Sequence, residues 1–381
     1  MLVRRSAYAG GATVLLALCS HRASAQARAG ALPPPPMQEH VPPDEPRATA
    51  AIERLLVQQV TAQYQATGRP ASRPAERDAH PKGHGCVKAR FTVDAHVPAA
   101  LRVGVFARPK SYVTWIRYSN AVGTDDHAGL SRGMAIKLTG VPGRKLLANE
   151  SHETTHDFLL VTYPAFNIRS AADYADLLTK SARGQLPAFF AAHPDAERMT
   201  HAAAAVPATN PLLQRFFSMT PYTLGARYVK YSAEPITCSD HRVLHDSSAN
   251  PATRDPDYLR AAMEKTLANG DACFRFMVQS QTDTAAMPVE DATVVWDEAR
   301  SPFVPVATIT IPRQQFAGAE QMRFCENLSY TPWHALPEHR PAGTINRVRR
   351  SVYEAISTLR HRLNGAARAE PTGRETFPGG D

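Results

Sequence analysis

The sequence predicts an α+β fold with an antiparallel sheet or barrel at its centre. Three observations predict it. Short runs of β-branched and aromatic residues recur between turn signals early in the chain. A Pro-broken stretch that looks mainly helical follows them. Strand-like runs then return before a closing amphipathic helix.

Taken in order, the first element is a helix from Ala48 to about Thr67, with Ile52, Leu55, Leu56 and Val60 at helical spacing. Strands are expected at Lys88–Val97, Tyr112–Ser119, Met134–Leu138 and Asp157–Thr162. Residues 168–226 look mainly helical, with breaks at Pro187, Pro194, Pro207 and Pro211. Strands follow at Cys273–Val278, Ala292–Trp296 and Phe303–Ile311. A helix from about Thr344 to Leu363 closes the fold. Beyond Asn364 the composition predicts a loose tail over 365–381.

The N-terminus has the pattern of a signal peptide over residues 1–25. Arg4 and Arg5 start it, Ala12 to Leu18 are apolar, and Ala23-Ser24-Ala25 supplies small residues for cleavage. Cys19 as a lipid anchor is disfavoured by the bulky Leu18. Residues 26–47 are expected as a linker, with polyproline structure at Pro33 to Pro36, and residues 48–364 as the folded domain. An exported, periplasmic or secreted protein follows. No later run is long and apolar enough for stable membrane insertion.

The chain has 381 residues, 43% of them hydrophobic and 20% charged, enough for one large domain or two small ones. Loss of Arg4, Arg5 and Arg22 with the leader lowers the net charge from +8 to +5, which calls for no nucleic-acid partner. Cys86, Cys238, Cys273 and Cys325 remain. Their wide spacing without CxxC argues against a zinc ribbon or a thioredoxin-type site. Free buried thiols and a structural bridge both fit.

The closing helix carries chemistry. At 100° per residue, Arg349, Tyr353 and Arg360 fall within roughly 40° of one another, beside an apolar face of Val352, Ile356, Leu359 and Leu363. Positive charge favours a phenolate over a phenol, and a phenolate is a good ligand for ferric iron. A core tyrosine beside two surface arginines would give the same pattern.

Other segments narrow the choice. Arg77-Asp78-Ala79-His80-Pro81-Lys82-Gly83 resembles the catalase pattern of arginine, two residues, then His-Ala-Lys-Gly. Arg117-Tyr118-Ser119 resembles its Arg-Phe-Ser strand, and Arg132-Gly133-Met134-Ala135-Ile136-Lys137 its Arg-Gly-Phe-Ala-Val-Lys segment. Asp157-Phe158-Leu159 and Pro164-Ala165-Phe166-Asn167-Ile168-Arg169 continue the order, and Arg349 and Tyr353 repeat the Arg-x-x-x-Tyr spacing. The stretch from Glu326 to His334, with Glu338 to Pro341, resembles a smaller catalase-related group that lacks the large C-terminal helical region. The resemblance covers roughly residues 70–364.

What the resemblance implies is a catalase-like central antiparallel β-barrel with surrounding helices and haem b between the barrel and the last helix. Tyr353 would be the iron ligand, with Arg349 stabilising its phenolate. Arg77, Arg117 and Arg360 would hold the haem propionates, and Tyr174 would stack on the ring. His80 would be the distal acid/base, oriented by Ser119. The activity implied is a haem catalase or peroxidase acting on hydrogen peroxide or organic hydroperoxides with a small-molecule reductant, as a monomer or homo-oligomer. A non-catalytic haem-binding or sensing protein would share the site.

Two departures stand out. Val161 and Thr162 fall where catalases have a distal asparagine, leaving Thr162 as the candidate hydrogen-bonding substitute. Ala79 replaces a bulkier residue before the histidine. One competing motif exists: His152-Glu153-Thr154-Thr155-His156 is a literal HExxH, which on a helix would bind zinc for a peptidase. Its paired threonines and the strand-like run after it disfavour a helix.

Overall fold

The structure is a computed structural model that describes residues 39–67, 74–127, 131–245 and 253–378. The expected leader (1–25) and most of the expected linker (26–47) lie outside the described residues.

Among the described residues, nine strands form one antiparallel sheet. They are β1 (Gly83–Val93), β2 (Ser111–Asn120), β3 (Arg132–Leu138), β4 (His156–Val161), β5 (Phe216–Phe217), β6 (Tyr222–Leu224), β7 (Arg227–Ile236), β8 (Ala272–Ser280) and β9 (Val304–Ile311). β1 to β4 are successive neighbours, and β9 pairs back onto β1. The two-residue β5 closes the ring. Phe217 faces Val161 of β4, and Phe216 faces Ala233 of β7. Eight strands thus make a barrel, with β6 hairpinned onto β7 beside it. This is the expected class, an α+β fold around an antiparallel barrel.

Strand alternation sorts the side chains. Ile116 and Tyr118 of β2, Met134, Ile136 and Leu138 of β3, and Phe158 and Leu160 of β4 point into the barrel core. An aromatic plug of Phe91, Phe106, Phe158, Tyr231 and Phe276 fills it, with Phe158 and Phe276 ring centres 4.9 Å apart. The alternate residues, Arg117, Ser119, Gly133, Ala135, Leu159 and Val161, face outward. Helices cover this face, which leaves Ala135 and Leu159 part-exposed and the others buried.

Those helices are α1 (Glu45–Ala66), α2 (Ala171–Ala182) and, last in the chain, α7 (Thr344–Asn364). Between α2 and α7 come α3 (Leu186–Ala192), α4 (Pro194–Ala204), α5 (Tyr258–Asn269) and α6 (Ala319–Asn327). Ala48, Ile52 and Leu56 of α1, Ala171 of α2, and Val348 and Val352 of α7 pack into one apolar cluster. Gly365 ends α7 at φ 60°, a left-handed cap that glycine adopts without a Cβ penalty. Among the described residues no helix is long and apolar enough to cross a membrane.

Four expectations change. Ala292–Trp296 is loop, not strand, with Trp296 buried and Val295 exposed. The stretch 168–226 is helical only to Ala204 and ends in β5 and β6. Residues 39–47 are no free linker. Pro46 opens α1 at Glu45, and Glu39 and Glu45 both pair with Arg347 of α7. Residues 365–378 are no loose tail. Glu370 pairs with the buried Lys137 at 2.6 Å, Glu375 accepts from Trp115 Nε1 at 3.0 Å, and Phe377 packs on Trp115. Compositional looseness hid these contacts because each needs one distant partner.

All four cysteines of the domain are bridged. Cys86–Cys325 ties β1 to α6 across 239 residues, and Cys238–Cys273 ties the end of β7 to β8 across 35. Loop-closure entropy puts each at about 3–5 kcal/mol, the longer loop higher by about 1–2 kcal/mol. We predict that Cys86→Ser with Cys325→Ser lowers the unfolding temperature by about 4–8 °C. Calorimetry of oxidised wild type and variant checks it. Equal transitions would mean that the bridge does not constrain the unfolded chain.

Candidate functional site

The outer face of β2–β4 and the inner faces of α1, α2 and α7 line a cleft. Its walls are mostly apolar, including Leu56, Leu159, Val161, Phe166, Val348, Val352 and Ile356. Its polar groups are segregated, and this segregation gives the site its character.

One wall carries His80, from the loop before β1. Its backbone is held at φ 61°, a strained conformation for a non-glycine residue, by donation of its N–H to Ala121 O at 2.9 Å. Its Nδ1 lies 2.9 Å from Ser119 Oγ. Gly133, opposite Ser119 on β3, leaves room for the ring: a Cβ there would stand 2.5 Å from His80 Nδ1 and Cε1. Burial, together with the nearby Arg117, Arg77 and Arg349, pushes the His80 pKa down to about 3. The ring is therefore neutral across the physiological range.

On the helical side, Tyr353 faces the same cleft. Arg349, one turn earlier, donates to its phenol oxygen from Nη2 at 3.0 Å and from Nε at 3.3 Å. Arg349 is itself held by Asn346 Oδ1 at 3.1 Å. Burial opposes its charge, but Tyr353, Tyr222 and Tyr174 together outweigh that and its pKa is raised.

One end of the cleft is cationic. Arg77 donates to His80 O at 2.8 Å and grips both oxygens of Glu326, at 2.7 and 2.9 Å. Arg360 also pairs with Glu326 and donates to Ala75 O at 2.8 Å. Burial raises the Glu326 pKa, but Arg77 and Arg360 outweigh it and hold the carboxyl below its ordinary value. Arg117 lies with its guanidinium 4.5 Å from the Tyr330 ring centre. Burial and the adjacent Arg77 lower its pKa to about 10. Tyr174 of α2 lines the cleft, its pKa raised by burial.

Eight of the nine site residues expected from sequence thus line one cleft: Arg77, His80, Arg117, Ser119, Tyr174, Arg349, Tyr353 and Arg360. Thr162 is the exception and is corrected. Its Oγ accepts the Arg132 N–H at 3.0 Å and its N–H donates to Arg132 O at 3.0 Å, so it knits β4 to β3. Val161 faces the cleft instead, as alternation requires.

The HExxH reading also fails. His152 is exposed in a turn, whereas His156 is buried at the start of β4 and accepts the Leu336 N–H on Nδ1. The two rings share no helix face. His84, near His80 in sequence, is buried with Nε2 2.9 Å from Asn120 Oδ1. Among the described residues one group has ligand atoms close enough for a metal: Glu150, His334 and Glu370. Lys137 and Arg368 already pair with its two carboxylates.

A catalase family profile matches residues 42–335. The chain belongs to the catalase family. Solved structures agree at the level of fold. A fungal catalase aligns with a TM-score of 0.60 at 17% identity, covering 83% of this chain and 65% of its own. A bacterial catalase gives 0.56 at 16%, covering 81% and 62%. Catalase A from Saccharomyces cerevisiae gives 0.59 at 16%, covering 83% and 67%. This catalase-family chain therefore spans about two thirds of the length of those enzymes. No curated protein matches its sequence. The family match ends before α7, so Arg349, Tyr353 and Arg360 rest on spacing and geometry.

Sequence reasoning missed Asp78, Glu326, Ser329 and Ser357 as groups lining or closing the cleft. Asp78 lines it with no hydrogen bond or ion pair among the described residues, and burial raises its pKa to about 6. Its place between Arg77 and His80 was the available signal. For Ser357 the signal was its helical spacing from Tyr353 and Arg360, whereas Glu326 and Ser329 carried none, since their roles come from distant partners. We predict that Gly133→Ala pushes the His80 ring off Ser119 and costs about 1–3 kcal/mol. Denaturant unfolding measures this, and an unchanged midpoint would mean that the ring is not seated against Gly133.

Proposed function

We propose that this chain is a haem-dependent, peroxide-metabolising oxidoreductase with a tyrosinate-ligated haem b. The observation that carries the reading is the Arg349–Tyr353 pair facing one cleft with the Ser119-held His80. The residues fit the group. The apolar walls suit a porphyrin, and the cationic end suits its carboxylates. Three guanidiniums (Arg77, Arg117, Arg360) less one carboxylate (Glu326) leave two positive charges, the complement of two propionates. Tyr353 would hold the iron with two Arg349 N–H groups on its oxygen, and Tyr174 would stack on the ring.

When bound, haem supplies the ferric centre that accepts peroxide and the electrons that cleave its O–O bond. The chain supplies the proton chemistry. His80 is neutral and takes the proton from the inner peroxide oxygen, then returns it to the outer oxygen as water or an alcohol leaves. Ser119 keeps the ring in place for both transfers. A second peroxide or a small-molecule reductant completes turnover.

The distal wall favours organic hydroperoxides over fast disproportionation of hydrogen peroxide. Val161 offers no hydrogen bond where an asparagine would orient a second peroxide, Thr162 is turned into the barrel seam, and Ala79 widens the approach. We also propose export, supported by the leader pattern and by two disulfides, which persist in oxidising compartments.

The deciding experiment loads purified protein with haem and measures the Soret spectrum and peroxide turnover per haem. A tyrosinate-type spectrum with turnover supports an enzyme. The same spectrum without turnover of hydrogen peroxide or organic hydroperoxides supports a non-catalytic haem protein. We expect Tyr353→Phe to lose ferric haem or change its spectrum, and an unaltered spectrum removes Tyr353 as ligand. His80→Ala should keep haem and lose roughly 100-fold or more in peroxide reactivity. With the His80 pKa near 3, its base form persists above about pH 4, so no acid limb near 6.5 should arise from it. A limb near 6 is expected from Asp78 and should vanish in Asp78→Asn. A limb that persists in that variant assigns it elsewhere.

A further inference from the structure

A second set of polar groups reaches the cleft and takes no part in the chemistry above. Ser357 stands four residues after Tyr353 and three before Arg360, so the three share a face of α7. Its Oγ is 2.6 Å from Ser329 Oγ, in the loop after α6. Ser329 Oγ is 3.0 Å from His361 Nε2. Both serines line the cleft, whereas His361 stands behind them, part-exposed at the end of α7.

His361 Nδ1 lies 3.0 Å from Ala366 O, just past the Gly365 cap. A carbonyl only accepts, so Nδ1 carries a proton, and a neutral ring must then accept at Nε2. The chain accordingly runs outward: Ser357 donates to Ser329, and Ser329 donates to His361. Burial lowers the His361 pKa, the Ala366 bond opposes that, and Arg360 and Arg368 add to the lowering. Arg360 comes from its own helix and Arg368 from the C-terminal segment, where Glu354 pairs with Arg368. From α1, Tyr64 donates to Leu363 O nearby.

A carboxylate beside Arg360 would invert this order. Such an anion only accepts, so Ser357 must donate to it. Ser329 must then donate to Ser357, and His361 must donate to Ser329 from Nε2. With Nδ1–H committed to Ala366, the ring can do so only after gaining a second proton.

We propose that Ser357, Ser329 and His361 form a proton-linked carboxylate site, in which an anion bound beside Arg360 draws one proton from solvent onto His361 Nε2. The carboxylate is a haem propionate, so the proposal rests on the haem reading above. One proton moves from water to a ring nitrogen, with no electron transfer and no other covalent change. Loading haem would thereby be tied to pH at a group remote from the iron ligand.

The test measures haemin affinity by Soret titration of the haem-free protein from pH 6 to 8, for wild type, His361→Gln and Ser357→Ala. Proton uptake makes binding tighter at low pH. Wild-type affinity should therefore fall with rising pH more steeply than in His361→Gln, by up to about tenfold per pH unit. Protons exchanged at Tyr353 or Asp78 are common to both proteins and cancel in the difference. Ser357→Ala leaves His361 in place but breaks the chain, and should flatten the profile equally. It also serves should His361→Gln fold poorly. Haemin binding with the same slope in all three proteins overturns the proposal and leaves the haem reading intact. No haemin binding by wild type overturns both.

Discussion

The separation of α7 from the outer face of β2–β4 is the constraint on which the rest depends. Tyr353 and His80 can serve one ligand only if the helix stands off the barrel by a fixed amount. The apolar cluster of Ile52, Leu56, Val348 and Val352 holds α7 against α1. Each such buried side chain contributes about 1.5–3 kcal/mol. Ion pairs pin both ends of the helix. Arg347 meets Glu39, Glu45 and Glu290 near the start, and Arg360 meets Glu326 and Ala75 O near the finish. Between these clamps the helix cannot close onto the sheet, and the cleft persists.

Charge is distributed in the cleft by the same geometry. Arg349 fixes two N–H groups on the Tyr353 oxygen on the helical side, while on the strand side burial keeps His80 neutral. The two functional groups are thus prepared in opposite ways, one by a fixed cation and one by desolvation. The arginines at the end would repel one another without Glu326, which keeps Arg77 and Arg360 together in a buried setting. Truncating such a carboxylate would leave two buried cations uncompensated, a costly arrangement.

Much of this was legible along the chain because it is local. The Arg-x-x-x-Tyr spacing on α7 sets Arg349 on Tyr353 through helix geometry alone, and strand alternation on β2 sets Arg117 and Ser119 on one face. Thr162 misled because alternation on β4 puts Val161, not Thr162, in the cleft, and a one-residue choice reverses the face. The HExxH pattern misled only as a pattern, since its spacing has meaning on a helix and the segment turns into a strand.

The sequence by itself determined the α+β class, the barrel strands β1–β4, the closing helix and eight of the residues that meet in the cleft, since each follows from short-range periodicity or an ordered family resemblance. Tertiary structure alone decided the ring closure through the two-residue β5, the pairing of all four cysteines, the anchoring of residues 365–378, and the Ser357–Ser329–His361 chain. These contacts mostly join residues far apart in the chain. Their stability comes from partners that the fold brings together, and no local spacing encodes it.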